Sequence, residues 1–325
     1  MIMRSSFVSL FGHRPGAFCF CLVLIACLPF LLASQSPRSA DDYNNRGLLR
    51  QSQGDLDGAI EDYTRALSTK ANAKVHAVAY NNRANARLTK NDIDGAVADY
   101  GKAIELQPKD FENYYNRGIA LMQKRDFDAA IADFSKAVEI APDFATGFDS
   151  RGTARRAKGE VDLAIADYQR AVDIAPKFYQ AYYNRGSAYQ EKGQIEAAIN
   201  DYSVAIALAP EFADAYVNRG QARQSLNHLD GAINDYNKAI ELKPDAGVYY
   251  ARGTARQARN DLNDALSDYS KAIELDSGMA QAYANRAVIR TLKNQKIEAR
   301  QDFETAFKLD PGLRDTFKKF LERLK

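Results

Sequence analysis

From residue 40 onward, small, large apolar and polar positions recur in a fixed order along the chain. Tyr182 and Tyr202 mark bulky positions, and Gly186, Ala198 and Ala205 mark positions where only a small side chain stands. The spacing of these positions is that of one face of a helix, broken once by Gly193 and closed by Pro210. It predicts two amphipathic helices, the first over about 179–192 and the second over about 195–207. Small facing large lets two helices interdigitate.

The same phrase repeats. Aligned on the small residue after the recurrent Arg, the anchors are Gly47, Ala84, Gly118, Gly152, Gly186, Gly220, Gly253 and Ala287. Successive anchors lie 37, 34, 34, 34, 34, 33 and 34 residues apart. A fixed period of this length signals stacked helix pairs, because one pair cannot bury its apolar face alone. The expected units span 40–73, 77–110, 111–144, 145–178, 179–212, 213–245, 246–279 and 280–311. Gly54, Asn91, Gly159, Gly193, Asn227, Asn260 and Asn294 fall where the first helix must end in a left-handed residue, with Arg125 the exception. Residues 312–325 leave the period. Their apolar stripe of Leu313, Phe317, Phe320, Leu321 and Leu324 predicts a helix that caps the last unit.

The period and its Gly/Ala, Ala, Tyr/Phe, Ala and Pro positions resemble the tetratricopeptide repeat family over nearly all of residues 40–311. Tyr stands where the family often has Trp, and an Arg fills a usually apolar slot before the Gly. The resemblance implies an all-α fold: a right-handed superhelical α-solenoid of antiparallel helix pairs whose first helices line a concave face.

Residues 17–33 form an uncharged apolar run behind Arg4, His13 and Arg14. They read as an export signal cleaved near Ala33 or Ser34, which predicts a periplasmic or secreted protein. A retained membrane anchor over 17–33 and lipidation at Cys27 are the alternatives, and residues 35–39 read as a linker. The remaining 42 Lys and Arg balance 42 Asp and Glu, which argues against a nucleic-acid surface. All three cysteines, Cys19, Cys21 and Cys27, lie in the apolar run, so the body offers no thiol nucleophile and no cysteine metal site. No phosphate loop, zinc motif or nucleophile elbow occurs, and the repeats leave no room for a catalytic domain. The reading is a non-catalytic protein without cofactor or metal.

Two polar series run through the units. An Arg and an Asp lie 16 residues apart in every one: Arg46/Asp62, Arg83/Asp99, Arg117/Asp133, Arg151/Asp167, Arg185/Asp201, Arg219/Asp235, Arg252/Asp268 and Arg286/Asp302. Eight equal copies suit a structural ion pair between first and second helices, since catalysis needs one tuned constellation. A second Arg in six of the first helices, Arg50, Arg87, Arg155, Arg223, Arg256 and Arg290, reads as a partly buried stem with a solvated head.

The other series is Asn45, Asn82, Asn116, Asn184, Asn218 and Asn285, interrupted by Ser150 and Ala251. These lie about 100° around the helix from the Arg, toward the groove. A carboxamide both donates to and accepts from a peptide unit. The series is similar to the asparagine ladder in the repeat domain of O-linked N-acetylglucosamine transferases. With Tyr115, Tyr183 and Tyr250 it forms the candidate peptide-binding groove. The cations of a carboxylate clamp are missing. The partner expected is an extended segment of another protein. The alternative is an adaptor subunit of an envelope complex, docking through convex or edge surfaces.

Overall fold

The computed structural model describes residues 39–324, and the segment read as export signal or anchor, with Cys27, lies outside them. The described residues are helical with short connections and contain no strand. None of their helices is long and apolar enough to cross a membrane.

The chain divides into two compact units, one ending at Asp92 and one beginning at Ile93. The first holds α1 (Ala40–Ser52), α2 (Leu56–Ser68) and α3 (Ala73–Thr89). Ser39 and Asp42 form a reciprocal capping box that starts α1. His76 lies in the expanded junction that lengthens the first spacing. Its Nε2 is 2.9 Å from the Thr69 carbonyl, and this bond ties the start of α3 to the end of α2.

The second unit holds α4 (Ile93–Leu106), α5 (Phe111–Lys124), α6 (Phe127–Ile140), α7 (Ala145–Ala157), α8 (Val161–Ile174) and α9 (Tyr179–Glu191). It continues with α10 (Ile195–Leu208), α11 (Ala213–Ser225), α12 (Leu229–Leu242), α13 (Ala246–Ala258), α14 (Leu262–Leu275), α15 (Ala280–Leu292) and α16 (Lys296–Leu309). Each first helix packs on the second helix that follows it, from α5 on α6 to α15 on α16. First helices also touch one another, as α7 touches α9 and α9 touches α11, and second helices do so less. The first-helix side is therefore the tighter side of this stack.

Small-on-large packing sets the closeness of each pair. A Cβ added at Gly220 would lie 2.7 Å from the ring of Tyr236, which is fully buried. The turn after each first helix is left-handed, with φ near 60–90° at Gly54, Gly159, Gly193, Asn91, Asn227, Asn260 and Asn294. Arg125 adopts it too, at φ 64°, so the register imposes the conformation even on a residue that disfavours it.

Each second helix carries one polar intruder in its apolar stripe, as in Ala198, Asp201, Tyr202 and Ala205, all buried. The recurrent Arg resolves this. In the seven pairs that lie within one compact unit, the guanidinium grips the Asp through Nε and Nη2 at 2.5–3.1 Å. The second Arg of the helix is not free in solvent as its sequence suggests. Arg50, Arg155, Arg223, Arg256 and Arg290 place Nη1 2.6–3.1 Å from the same carboxylate. Leu121 and Tyr189 occupy that slot in the two remaining units of this set.

The first Arg also joins neighbours. Nη1 of Arg219 and of Arg286 donates to Ser203 and Ser270 on the preceding second helix, at 3.0 and 3.1 Å. A third stitch runs between loop ends, where Lys124 and Lys158 each lie 2.7 Å from Asp94 and Asp128 of the preceding second helix.

The C-terminal stripe covers the last pair, packing Leu313, Phe317, Phe320, Leu321 and Leu324 against Val288, Phe303 and Phe307. It does so as two short helices, α17 (Leu313–Thr316) and α18 (Lys318–Arg323), separated at Phe317.

Candidate functional site

The asparagine series lies on the first helices. Asn45 is exposed, and Asn82, Asn116, Asn184, Asn218 and Asn285 are half-buried. Three of these side chains are engaged by the neighbouring first helix. Asn218 donates through Nδ2 to the Tyr183 hydroxyl at 3.0 Å, and Asn285 donates to the Tyr250 hydroxyl at 3.1 Å. Asn184 donates to Asp149 Oδ1 at 2.9 Å, and Ser150, which interrupts the series, donates to the Tyr115 hydroxyl at 3.4 Å. Each bond spans 35 residues, from one first helix to the one before it. Two of the three predicted groove tyrosines, Tyr183 and Tyr250, thus accept from predicted groove asparagines, and Tyr115 accepts from Ser150.

These tyrosines also wedge between repeats. The ring of Tyr183 meets Phe212 edge-on at 4.9 Å between centroids, and Tyr115 meets Phe144 at 5.0 Å. Burial raises the hydroxyl pKa of Tyr183 and of Tyr250 above the ordinary value. Both stay neutral donors at physiological pH, with a proton to offer. The carboxamide oxygens of Asn184, Asn218 and Asn285 accept no hydrogen bond from the described residues.

Two open cavities line the first-helix side. One, of about 490 Å³, is walled by Arg156, Ser187, Gln190, Glu191, Tyr202, Asn218 and Gln221. The other, of about 330 Å³, is walled by Thr254, Gln257, Ala258, Tyr269 and Asn285. They occupy the same place two units apart. Each is built from a core tyrosine, the glutamine that accepts its hydroxyl, a small hydroxyl residue and the asparagine of the next unit. Tyr202 donates to Gln190 at 2.9 Å and Tyr269 donates to Gln257 at 2.7 Å. The pairing holds only in part across the units: Phe134 and Phe303 go with Met122 and Thr291, but Tyr100 and Tyr168 keep the hydroxyl where Leu88 and Arg156 replace the glutamine.

Ser187, Thr254 and Gln221 escaped sequence reading. Each lies three residues after an Asn-series position, on the same helix face. Arg156 replaces the glutamine of its unit and pairs with Glu191 of the next first helix at 3.0 Å. Among the described residues no group of three or more His, Cys, Asp or Glu is placed to hold a metal. The lining groups are amides, hydroxyls and one ion pair. They suit hydrogen bonding to a polar chain.

Comparison with solved structures gives the same architecture. The chain matches the C-terminal part of a repeat-containing protein from Cytophaga hutchinsonii at 24% identity and a TM-score of 0.62, over 74% of this chain and 98% of that one. A tetratricopeptide repeat protein from Parabacteroides merdae matches at 16% identity and a TM-score of 0.59, over 83% of this chain and 99% of that one. No curated protein matches the sequence. Family models described as TPR repeat match residues 152–193 and 186–227. Models described as tetratricopeptide repeat match 81–143, 213–245, 43–72 and 280–313. The matched segments cover well over half of the sequence, the helix pairs carry the family's small and large positions, and the chain belongs to the tetratricopeptide repeat proteins.

Proposed function

We propose that this chain is a non-catalytic protein-interaction scaffold of eight such repeats, and that it holds an extended segment of a partner along its first-helix side. The fold and the family support the interaction role. The repeated pair of amide-lined cavities supports the peptide reading. An extended chain presents a donor and an acceptor at every residue, and a row of groups of mixed polarity at regular spacing suits it. Asn184, Asn218 and Asn285 serve both parts of this design, spending Nδ2 on the neighbouring helix and leaving Oδ1 for a ligand N–H. Residues 17–33 would export the scaffold or tether it to a membrane.

The test separates ligand contact from scaffold repair. Random 12-residue peptides displayed on phage are selected on the full chain and on variants. Asn218→Ala with Asn285→Ala removes the oxygens and the bonds between helices together. Tyr183→Phe with Tyr250→Phe removes only the bonds. Selected peptides should lose binding to the first pair and keep it with the second. Equal binding to all three proteins would reject the groove and favour docking through convex or edge surfaces.

A further inference from the structure

The position one residue before each asparagine runs Asn44, Asn81, Tyr115, Asp149, Tyr183, Val217, Tyr250 and Ala284. Asp149 is the only charged residue in this row. It is half-buried on α7, and one carboxylate oxygen takes the Asn184 N–H at 2.9 Å. No Lys, Arg or His among the described residues pairs with it. The chain's other inward carboxylates are treated differently, since Asp133, Asp167 and Asp201 are each held bidentate by an arginine. Arg156, on the same helix, is committed to Glu191.

Removing a carboxylate from water without a counter-ion is costly, and the cost is recovered when a cation arrives. Burial pushes the Asp149 carboxyl up to about 6, and the hydrogen bond from Asn184 works the other way. We infer that Asp149 recognises a lysine or arginine side chain of the segment bound along the first helices. The surroundings provide a half-buried acid and an amide that fixes its orientation, and no cation among the described residues competes for it. This inference rests on the peptide reading above and narrows it to partners with a basic residue at one fixed place.

The experiment reads the sequences of selected peptides. Random 12-residue peptides are selected on the full chain, and the strongest are synthesised with the basic residue intact or replaced by norleucine. Lys or Arg should be enriched at one position. Such a peptide should bind Asp149→Asn roughly tenfold more weakly than the original protein, the scale of losing a charge-assisted hydrogen bond. Its norleucine form should bind both proteins equally. Asn is isosteric with Asp and still accepts from Asn184, so the variant keeps the local fold, which its melting curve checks. Peptides that depend on Asn218 and Asn285 yet show no basic preference, or ignore Asp149→Asn, would overturn this inference and leave the groove standing. Peptides indifferent to those asparagines would overturn the groove itself.

Discussion

The carboxamide of Asn218 reaches across to the preceding repeat and donates to the hydroxyl of Tyr183 at 3.0 Å. Asn285 and Tyr250 repeat the relationship two units later. One residue thus has two ends: its nitrogen joins adjacent first helices, and its oxygen accepts no hydrogen bond from the described residues. A series kept for register also sets the spacing of the candidate binding groups.

Losing that bond should weaken the junction between α9 and α11. Tyr183→Phe should cost about 1 kcal/mol in urea unfolding, the usual net worth of such a bond. Asn218→Ala should cost a similar amount or slightly more. In the double variant the losses should fall short of additive, because either change alone removes the same contact. Additive losses would show that the two side chains do not interact in solution.

The Arg–Asp grip should be the most sensitive polar contact of the fold. Asp201→Ala leaves the buried Arg185 guanidinium without its partner and should cost ~3 kcal/mol, with a clear fall in melting temperature. The second arginine should matter far less. Leu121 already stands in its slot beside the intact Arg117–Asp133 pair, and Arg155→Leu would still leave Asp167 held by Arg151. A loss within about 1 kcal/mol is expected from thermal denaturation of Arg155→Leu. A loss as large as that of Asp201→Ala would make the two arginines equal partners.

The helix pairs, their small and large positions and the capping stripe were legible because they depend on spacing within one unit. Gly186 against Tyr202 follows from a 3.6-residue period and side-chain volume alone. What stayed hidden crosses between units or depends on helix rotation. Arg155 reads as a solvated arginine until α8 is rotated to bring Asp167 beneath it. Asn218 reads as a free groove residue because its partner Tyr183 lies 35 residues upstream, and nothing in one unit reveals that approach. The Tyr202–Gln190 bond left only a broken signal at separations of twelve, because Phe134 and Phe303 go with Met122 and Thr291 but Tyr100 and Tyr168 stand with Leu88 and Arg156. Asp149 was visible as a break in the row, but its lack of a cation is a fact of three dimensions.

Arg125 offers a test of how strongly the repeat imposes its turn. It holds φ at 64° at a position where the other units use Gly or Asn. A residue with a Cβ is strained in the left-handed region, and Gly is not. Arg125→Gly should raise stability by about 0.5–1 kcal/mol, less than the full strain because Gly gains freedom in the unfolded chain. Urea unfolding of the full chain reads the change. An unchanged or lower midpoint would mean that the Arg125 side chain contributes contacts that offset its backbone strain.

Asp149 should make the protein less stable as pH rises, opposite to the usual behaviour of a carboxylate held by an arginine. Its folded pKa of about 6 stands above the ordinary value of 3.8, and burial is the first cause. Asn184 on α9 donates to it, and the Tyr168 hydroxyl on α8 feels its charge. Between these two pH values the folded chain binds more protons than the unfolded chain. Stability from this group is therefore complete below about pH 4 and is lost as pH rises through 6. The loss is ~2 kcal/mol after allowance for the water that still reaches a half-buried group. Asp149→Asn removes the titration and keeps an acceptor for Asn184. The variant should melt higher than the original protein at pH 7.5, and the difference should shrink toward zero at pH 4. A bound basic peptide should narrow the same gap at pH 7.5 by supplying the missing counter-ion to the original protein alone. Equal melting of the two proteins at every pH would show that Asp149 is solvated, and would remove the reason for expecting a cation beside it.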